Sequence, residues 1–274
     1  MNHLKAIFKT GAGKNLPYET WETHFGGYRR IALILSEPYV PVKENNRLID
    51  FLLKKLYKIY SLHLPELGQT DRVTGSLKSF CSNIGEFRSF ISKTEKSLPI
   101  VAFVSSIASL PFLHYYFDVL PPIKLIVIMS PILDFTSYPF KQSLCFKSKI
   151  KIDINDFIKT NSEAESLNIR KSAKKNYYIS AKMVKKIRKI FKTYPKSFEA
   201  QLVNVHIGIF IGDDDKLVDK TRINELKDVM QKGSLTLYTY QRTKHLILYD
   251  HKWKNVLDNL DSFLETHDSI LASE

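Results

Sequence analysis

The stretch from Leu98 to Tyr116 reads LPIVAFVSSIASLPFLHYY. Its first part, Pro99 to Val104, is rich in Val, Ile and Phe, which is typical of a strand buried on both faces. Its last part, Ala108 to Tyr116, has apolar residues at helical spacing. Ser105 and Ser106 lie at the switch between the two patterns. This layout of strand, sharp turn with a central serine, and helix is that of a nucleophile elbow, with a plain structural turn as the alternative.

The glycines that usually flank an elbow serine are absent here. The G-x-S-x-G pattern appears as Val104-Ser105-Ser106-Ile107-Ala108. Glycine tolerates strained backbone and lets the strand and helix approach closely. Ala108 is nearly as small as glycine, whereas Val104 is β-branched. Ser106 is favoured over Ser105 because it alone keeps the x-Ser-x frame with a small residue after it, but the motif by itself does not prove a nucleophile.

The composition indicates one domain with an insertion. A chain of 274 residues with 44% hydrophobic content can bury one large core. The two cysteines, Cys81 and Cys145, are far apart and not in a metal-binding spacing, so they support neither a disulfide scaffold nor a zinc ribbon and are consistent with a reducing compartment such as the cytoplasm. No apolar segment of a secretory signal is evident at the N-terminus. Ser97 to Phe117 has no formally charged side chain, but its prolines and serines favour a strand and a helix over a membrane span.

The remaining elements alternate between strands and helices. Before the insertion we expect a hairpin over 4–27, strands at Arg30–Ser36, Ile59–Leu64 and Pro122–Met129, and helices at Glu44–Lys58 and Ser76–Lys93. After it we expect strands at Val203–Ile211 and Leu235–Thr239 and helices at Thr221–Gln231 and Lys252–Thr266. This order predicts an α/β protein with a mostly parallel central sheet and helices on both faces.

The alternation stops between Leu133 and Ala200, where the sequence predicts helices and no strand. We therefore expect a core of residues 1–132 and 201–274, interrupted by a basic helical cap of residues 133–200. The chain carries a formal net charge of +13, and Lys141 to Lys196 hold 16 basic against 4 acidic residues, a net of +12. Such an excess attracts polyanions.

Ser106, Asp215 and His245 each follow a predicted strand. An activated serine needs a base, and the base needs a carboxylate that orients it. Each residue also has an ordinary interpretation: Asp215 could bind turn amides, and His245 could be a surface histidine. His251 is a weaker alternative base. Asp213 and Asp214 are expected to be solvated turn residues.

The C-terminal stretches GIFIGDDDKLVDKTRINELKDVMQ and LYTYQRTKHLILYD resemble the monoglyceride-lipase and lysophospholipase group of α/β-hydrolases. That group has a Gly-x-x-Asp-x-x-Val turn and a histidine about thirty residues later, and Asp215 and His245 fall on these positions. YKIYSLHLPELGQTD is similar to the group's strand and loop before the elbow helix, with His63 where an aspartate is usual. The resemblance implies the α/β-hydrolase fold and a serine hydrolase that cleaves an acyl ester through a triad of Ser106, Asp215 and His245. It implies neither a cofactor nor a metal.

The chain differs from the usual α/β-hydrolase pattern at the elbow glycines and at the oxyanion loop, and two alternative functions follow from these differences. The acyl-transferring thioesterases of bacterial luminescence have Ala and Ser in place of the elbow glycines, so a carrier-type thioesterase or acyltransferase stays open. The oxyanion hole needs two N–H groups, one from Ile107 and one from the loop Leu35-Ser36-Glu37-Pro38. Glu37 would supply the second, whereas Pro38 has no N–H. A non-catalytic α/β-hydrolase-like binding protein therefore remains an alternative.

Ser180 to Tyr194 predicts an amphipathic helix in the cap. Its basic residues lie largely opposite the apolar ones; they are Lys185, Lys186, Arg188, Lys189 and Lys192. This face is either the solvated side of a packed helix or a docking surface for anionic membrane lipid or an acidic acyl carrier protein. Nucleic acid is disfavoured because no binding motif is present. We expect a cytoplasmic protein, with peripheral contact to a membrane as one option.

Overall fold

The structure is a computed structural model and describes residues 1–36, 47–70, 72–95, 98–119, 121–135, 148–153, 155, 157–158, 160–172, 177–191, 205–230 and 234–271. The strands are β1 (Asn2–Lys9), β2 (Asn15–Glu22), β3 (Arg30–Leu35), β4 (Tyr57–Leu62), β5 (Ile100–Ser105), β6 (Leu125–Met129), β7 (Lys149–Ile152), β8 (Tyr177–Ser180), β9 (His206–Gly212) and β10 (Leu235–Tyr240). The α-helices are α1 (Arg47–Lys54), α2 (Leu77–Thr94), α3 (Ser109–Val119), α4 (Glu163–Ser172), α5 (Ala181–Phe191), α6 (Lys220–Val229), α7 (Trp253–Thr266) and α8 (Asp268–Leu271).

Eight strands form the central sheet, in the order β1-β2-β4-β3-β5-β6-β9-β10. The six strands from β4 to β10 in this order run parallel, and β1 and β2 join antiparallel at one edge. Strands β3, β5 and β6 are almost entirely buried, which explains their continuous apolar sequences. The predicted mostly parallel sheet is confirmed.

Helices cover both faces of this sheet, as predicted. On one face, Phe87 of α2 packs against Tyr18 and Tyr60. On the other face, Phe263 of α7 packs against Phe210 and Tyr238. Among the described residues, no helix is both long enough and apolar enough to cross a membrane.

The first helix is shorter than the expected Glu44–Lys58. Helix α1 ends at Lys54, and β4 starts at Tyr57 instead of Ile59, while residues 44–46 lie outside the described residues. Leu56 separates the two elements with a φ of 59°. Tyr57 then pairs with Arg30 at the start of β3, so sheet pairing overrides the helical pattern at this point.

The prediction that the insertion contains no strand is wrong. β7 and β8 form an antiparallel pair in which Lys149 lies opposite Ser180 and Ile152 opposite Tyr177. In β7 the exposed lysines alternate with buried isoleucines, which is the period of a strand with one covered face. The part of the cap that the structure describes therefore contains β7, α4, β8 and α5 and is not purely helical. Helix α5 lies within the predicted Ser180–Tyr194, and residues 192–194 lie outside the described residues.

Hydrogen bonds attach the cap to the core on two sides. On one side, the Tyr177 hydroxyl donates to the Leu67 carbonyl, and Ser180 Oγ donates to the Gly75 carbonyl at 2.6 Å. On the other side, Arg47 of α1 forms an ion pair with Glu165 of α4 at 2.6 Å. These contacts hold the cap over the carboxyl ends of the central strands.

The antiparallel edge of the sheet contains a buried carboxylate, Glu19 of β2. Its oxygens lie 2.5 Å from His3 Nε2, 3.4 Å from His63 Nε2 and 3.7 Å from Lys5 Nζ. Burial alone would raise the pKa of Glu19, but the nearby His63, the hydrogen bond from His3 and the charge of Lys5 lower it to about 2. His63 thus faces an acidic residue at this edge of the sheet.

We expect Glu19→Gln to destabilise the fold at neutral pH. The folded-state pKa lies below the ordinary value of 4.5, so the carboxylate stabilises the fold above about 4.5 and loses this effect as the pH falls towards 2. The free energy of unfolding near pH 7 should fall by about 2 kcal/mol, and the difference should narrow below about pH 4.5. Urea unfolding at several pH values measures it. Exposed Glu265, paired with Lys55 at 3.2 Å, is the control, and Glu265→Gln should cost less than about 0.5 kcal/mol. An equally small loss for Glu19→Gln would contradict the expectation.

Candidate active site

Ser106 lies at the sharp turn between β5 and α3. Its φ is 51°, in the left-handed region, while Ser105 before it is extended with a φ of −133°. Non-glycine residues are uncommon in this region, and strain of this kind concentrates at functional sites. Val104 and Ala108 stand at the positions of the flanking glycines, and both are buried. Val104 belongs to β5 and Ala108 to the turn, so neither side chain disrupts these elements. The predicted layout of strand, turn and helix is thus present.

His245 lies beyond the end of β10 and reaches the serine. Its Nε2 is 2.8 Å from Ser106 Oγ, and its side chain is 1% exposed. Gly212 makes room for the loop that contains this histidine, because a Cβ at Gly212 would lie 2.0 Å from the Thr243 carbonyl oxygen. A glycine at the end of β9 is therefore needed for the histidine loop to pack against the sheet.

Asp215 completes a hydrogen-bonded array with His245 and Ser106. Its Oδ2 lies 2.7 Å from His245 Nδ1, and its Oδ1 accepts a hydrogen bond from the Leu217 amide at 2.9 Å. The Asp215 side chain is 1% exposed, whereas Asp213 and Asp214 are exposed residues of the same turn. The structure thus brings the three predicted residues together in the order Asp215, His245, Ser106. Such an order can activate a hydroxyl as a nucleophile, because the carboxylate holds the imidazole so that its other nitrogen accepts the hydroxyl proton.

The backbone next to Ser106 offers a donor for a developing negative charge. Residues 106–108 form a 3₁₀ turn that leads directly into α3, and Ile107 is buried in it. Amides in the first turn of a helix have no acceptor within the helix, and the helix dipole makes this end partly positive. The Ile107 amide is at the position expected for an oxyanion donor. Glu37, the predicted second donor, lies outside the described residues.

The alternative base, His251, has a different partner. Its Nδ1 lies 2.7 Å from Oδ1 of Asp250, and its side chain is half-exposed. Asp250 is buried and also accepts from the Lys244 amide and from Asn161 of the cap. The pair therefore belongs to the packing of the histidine loop. Ser106 is instead hydrogen-bonded to His245.

No protein-family model and no curated protein sequence matches this chain. Solved structures match over almost its whole length. A soluble variant of monoglyceride lipase from Saccharomyces cerevisiae, in complex with a substrate analog, superposes with a TM-score of 0.81 at 14% identity, covering 97% of this chain and 95% of that one. A carboxyl esterase from Bacillus coagulans gives 0.73 at 13% identity, covering 99% of each chain. An α/β-hydrolase from Penicillium sp. sh18 gives 0.67 at 13% identity, covering 97% of this chain and 99% of that one. The chain has the α/β-hydrolase fold.

The α/β-hydrolase fold accounts for the meeting of the three residues. In a parallel sheet the carboxyl ends of all strands lie at the same edge, and Ser106, Asp215 and His245 follow β5, β9 and β10 respectively. The resemblance to monoglyceride lipases, predicted from the C-terminal stretches, is confirmed at the level of the fold.

Residues of the α/β-hydrolase core and of the cap both contact the site. Phe157 of the cap packs edge-on against the His245 ring, with 5.6 Å between the ring centroids. Ser106 is 0% exposed, and the adjoining cavity has a volume of only about 50 Å³. Ligand pockets usually have volumes of roughly 300–1,000 Å³. The cavity lining is mostly apolar and includes Ile34, Phe103, Met129, Leu246 and Leu248.

The predicted basic face lies on helix α5. Lys185, Lys186 and Lys189 are exposed, whereas Arg188 is partly buried and donates from Nε to the Phe135 carbonyl at 2.7 Å. Lys192 lies outside the described residues. One predicted member of the basic face is thus a packing residue, and the three lysines are available to a partner.

Sequence reasoning missed three residues that contact the site. Ser130 donates to the His245 carbonyl, Arg47 donates to the Leu248 carbonyl, and Phe157 covers the His245 ring. Ser130 had a detectable signal, because it is a polar residue directly after a predicted buried strand. Arg47 and Phe157 had none, since their contacts join segments far apart in the chain.

Proposed function

We propose that the protein is a serine hydrolase that cleaves an acyl ester. The observation that supports this proposal is the buried chain of hydrogen bonds from Asp215 through His245 to Ser106, with separations of 2.7 and 2.8 Å. It lies at the place where the α/β-hydrolase fold presents a nucleophile. The elbow lacks both glycines, yet Ser106 adopts the left-handed backbone that the turn requires.

The reaction would proceed in two halves. Ser106 Oγ attacks the carbonyl carbon of the ester while His245 Nε2 takes the hydroxyl proton, and the Ile107 amide stabilises the oxyanion. The carbon–oxygen bond to the leaving alcohol then breaks, and the alcohol departs with the proton from His245, leaving an acyl group on Ser106. In the second half His245 takes a proton from water, the hydroxide attacks the acyl carbon, and Ser106 regains its proton as the fatty acid leaves.

We infer an apolar acyl group as the part of the substrate that the enzyme recognises. The apolar cavity lining supports this inference. The structural neighbours support it as well, since they include a monoglyceride lipase and a carboxyl esterase. A lysophospholipid or a monoacylglycerol combines one acyl chain with a polar head group, and we propose this class as the substrate.

Labelling with a fluorophosphonate probe tests the proposed function. The probe's phosphorus is attacked by an activated serine oxygen and loses fluoride, so only a working nucleophile becomes labelled. We expect wild type to be labelled and Ser106→Ala to remain unlabelled. Folded wild type that takes up no label would contradict the proposal and would favour a non-catalytic binding protein with the same fold.

We also propose that the cap lysines bind an acidic carrier protein in the cytoplasm. Hydrolysis of thioesters on such a carrier is therefore the second candidate function. The apolar residues of α5, Met183, Val184 and Ile187, are packed inside the protein. They are therefore not available to enter a bilayer, as the apolar face of a membrane-surface helix does. The exposed Lys185, Lys186 and Lys189 offer charge alone, which suits an acidic protein surface.

We expect the triple reversal of Lys185, Lys186 and Lys189 to Glu to separate docking from chemistry. Hydrolysis of a small neutral ester should stay within about twofold of wild type, because the lysines do not contact the Ser106 site. Binding to acyl carrier protein at low salt should weaken by at least about tenfold, and wild-type binding should fade as salt rises.

Reversal of Lys78, Lys93 and Lys227, which are exposed on the core helices, makes the same change in charge and is the control. Equal weakening by both triple variants would indicate a non-specific charge effect. Wild type that binds anionic vesicles but not acyl carrier protein would show that the partner is a lipid surface.

A further inference from the structure

The turn after β6 has an unusual backbone. Ser130, the first residue after the strand, has a φ of 46° and is 1% exposed, and Pro131 follows it. A non-glycine residue in this region is strained and persists only where surrounding contacts hold it there. The mechanism proposed above does not use this residue, so its strained conformation calls for a physical reason.

The contacts of this turn supply that reason. Ser130 Oγ donates to the carbonyl of His245 at 2.5 Å, and the Ser130 amide donates to the Phe210 carbonyl at 2.8 Å. Two residues further on, the Ile132 amide donates to the carbonyl of Ser106 at 3.1 Å. The same short segment thus holds the backbone of the nucleophile on one side and the backbone of the base on the other.

The other contacts of the histidine loop hold it at different points. Asp214 donates from its amide to the Thr243 carbonyl at 3.1 Å, and the Lys244 amide donates to Asp250 at 3.0 Å. Ile247 donates to the His245 carbonyl from within the loop itself. The hydroxyl of Ser130 therefore connects His245 itself to the strand beside the nucleophile, and the left-handed φ of Ser130 aims that hydroxyl.

We propose that Ser130 is a positioning residue that sets the distance between His245 Nε2 and Ser106 Oγ. This inference rests on the proposed function, since the distance matters only if His245 takes the proton of Ser106. Without the hydroxyl, the His245 carbonyl loses its hydrogen bond to the segment after β6, and the position of the imidazole relative to the serine is held less tightly. Displacements of about 1 Å in a catalytic array can reduce the rate by about 100-fold.

Two variants separate the hydroxyl from the backbone strain. Ser130→Ala removes the hydroxyl and keeps the strain, whereas Ser130→Gly removes the hydroxyl and relieves the strain. For both we expect kcat on a short-chain ester to fall by about 10- to 100-fold, with KM within about threefold of wild type. The rate of fluorophosphonate labelling should fall in parallel. The acid limb of the pH profile of kcat/KM should also shift, because protonation of His245 determines this limb.

Ser61→Ala is the matched control. Ser61 is buried in β4, and its Oγ has no hydrogen-bond partner among the described residues. Strand β3 separates β4 from β5, so the variant makes the same chemical change on a strand that does not lead to Ser106, Asp215 or His245. It should keep wild-type kcat and an unchanged pH profile.

Each outcome of this experiment decides a point. Ser130 variants as active as Ser61→Ala would overturn the inference, while labelling of wild type would leave the proposed function intact. Recovery of activity in Ser130→Gly alone would overturn the role of the hydroxyl and assign the effect to the backbone. If Ser130→Ala does not fold, Ser130→Gly decides the question. Wild type that is not labelled would contradict the proposed function, and the inference would fail with it.

Discussion

Ser106→Ala is expected to reduce kcat on a short-chain acyl ester by about 10⁴- to 10⁶-fold, as loss of a covalent nucleophile does in serine hydrolases. The variant removes the oxygen that lies 2.8 Å from His245 Nε2, so no acyl group can form on the enzyme. It removes one buried oxygen and leaves the strained turn in place, so thermal melting should show a folded protein. Steady-state kinetics on a chromogenic ester measure the loss.

His245→Ala should be about as inactive as Ser106→Ala, and the double variant should be hardly worse than either. The two residues act as a unit, because the serine is a weak nucleophile without its base and the base has no function without the serine. Losses that multiply in the double variant would show that the two residues act independently and would contradict the proposed mechanism.

Ser105→Ala is the control for the position of the nucleophile. Ser105 is extended, with a φ of −133°, and forms the last residue of β5. We expect a loss of less than about tenfold, because this hydroxyl is not the one held by His245. An inactive Ser105→Ala beside an active Ser106→Ala would show that the neighbouring serine is the nucleophile.

The sequence predicts the fold and the three residues for a simple physical reason. Ser106, Asp215 and His245 each follow an apolar segment that reads as a strand, and the carboxyl ends of parallel strands must share an edge. Gly212 also helps to bring His245 to this edge, because only a glycine there leaves room for the Thr243 carbonyl of the histidine loop. Local pattern and sheet geometry thus predict that the three residues lie at one edge of the sheet, whereas their assignment as a triad came from the resemblance to α/β-hydrolases.

The features that were missed depend on contacts between distant segments. The hydrogen bond from Ser130 to the His245 carbonyl joins residues that are 115 positions apart in the chain. Its geometry depends on the left-handed φ of Ser130, which the sequence pattern does not predict for a serine. Phe157 meets His245 only because the cap folds over the core. Strands β7 and β8 were missed for a different reason. The sequence Lys-Ile-Lys-Ile at 149–152 has the alternation of a strand, but the basic composition of the whole segment favoured solvated helices.

Asp215→Asn is expected to lower kcat by about 10³- to 10⁴-fold while the fold persists. Asp215 uses both oxygens, since Oδ2 lies 2.7 Å from His245 Nδ1 and Oδ1 accepts from the Leu217 amide at 2.9 Å. An asparagine has one oxygen, and if that oxygen keeps the Leu217 amide, its NH₂ group faces Nδ1. Nδ1 must then be an acceptor, so the neutral imidazole holds its proton on Nε2 and cannot take the proton of Ser106.

The neighbouring aspartates provide two matched controls for this prediction. Asp213 and Asp214 belong to the same turn and carry the same charge, but their side chains are exposed. Asp213→Asn and Asp214→Asn should therefore change kcat by less than about twofold, because they remove a charge without touching the imidazole. Kinetics on a short-chain ester, together with thermal melting of all three variants, make the comparison. Equal losses in kcat for the three variants would contradict a specific role for Asp215 and would indicate that the acidic turn acts as a whole, because charge alone would then account for the effect.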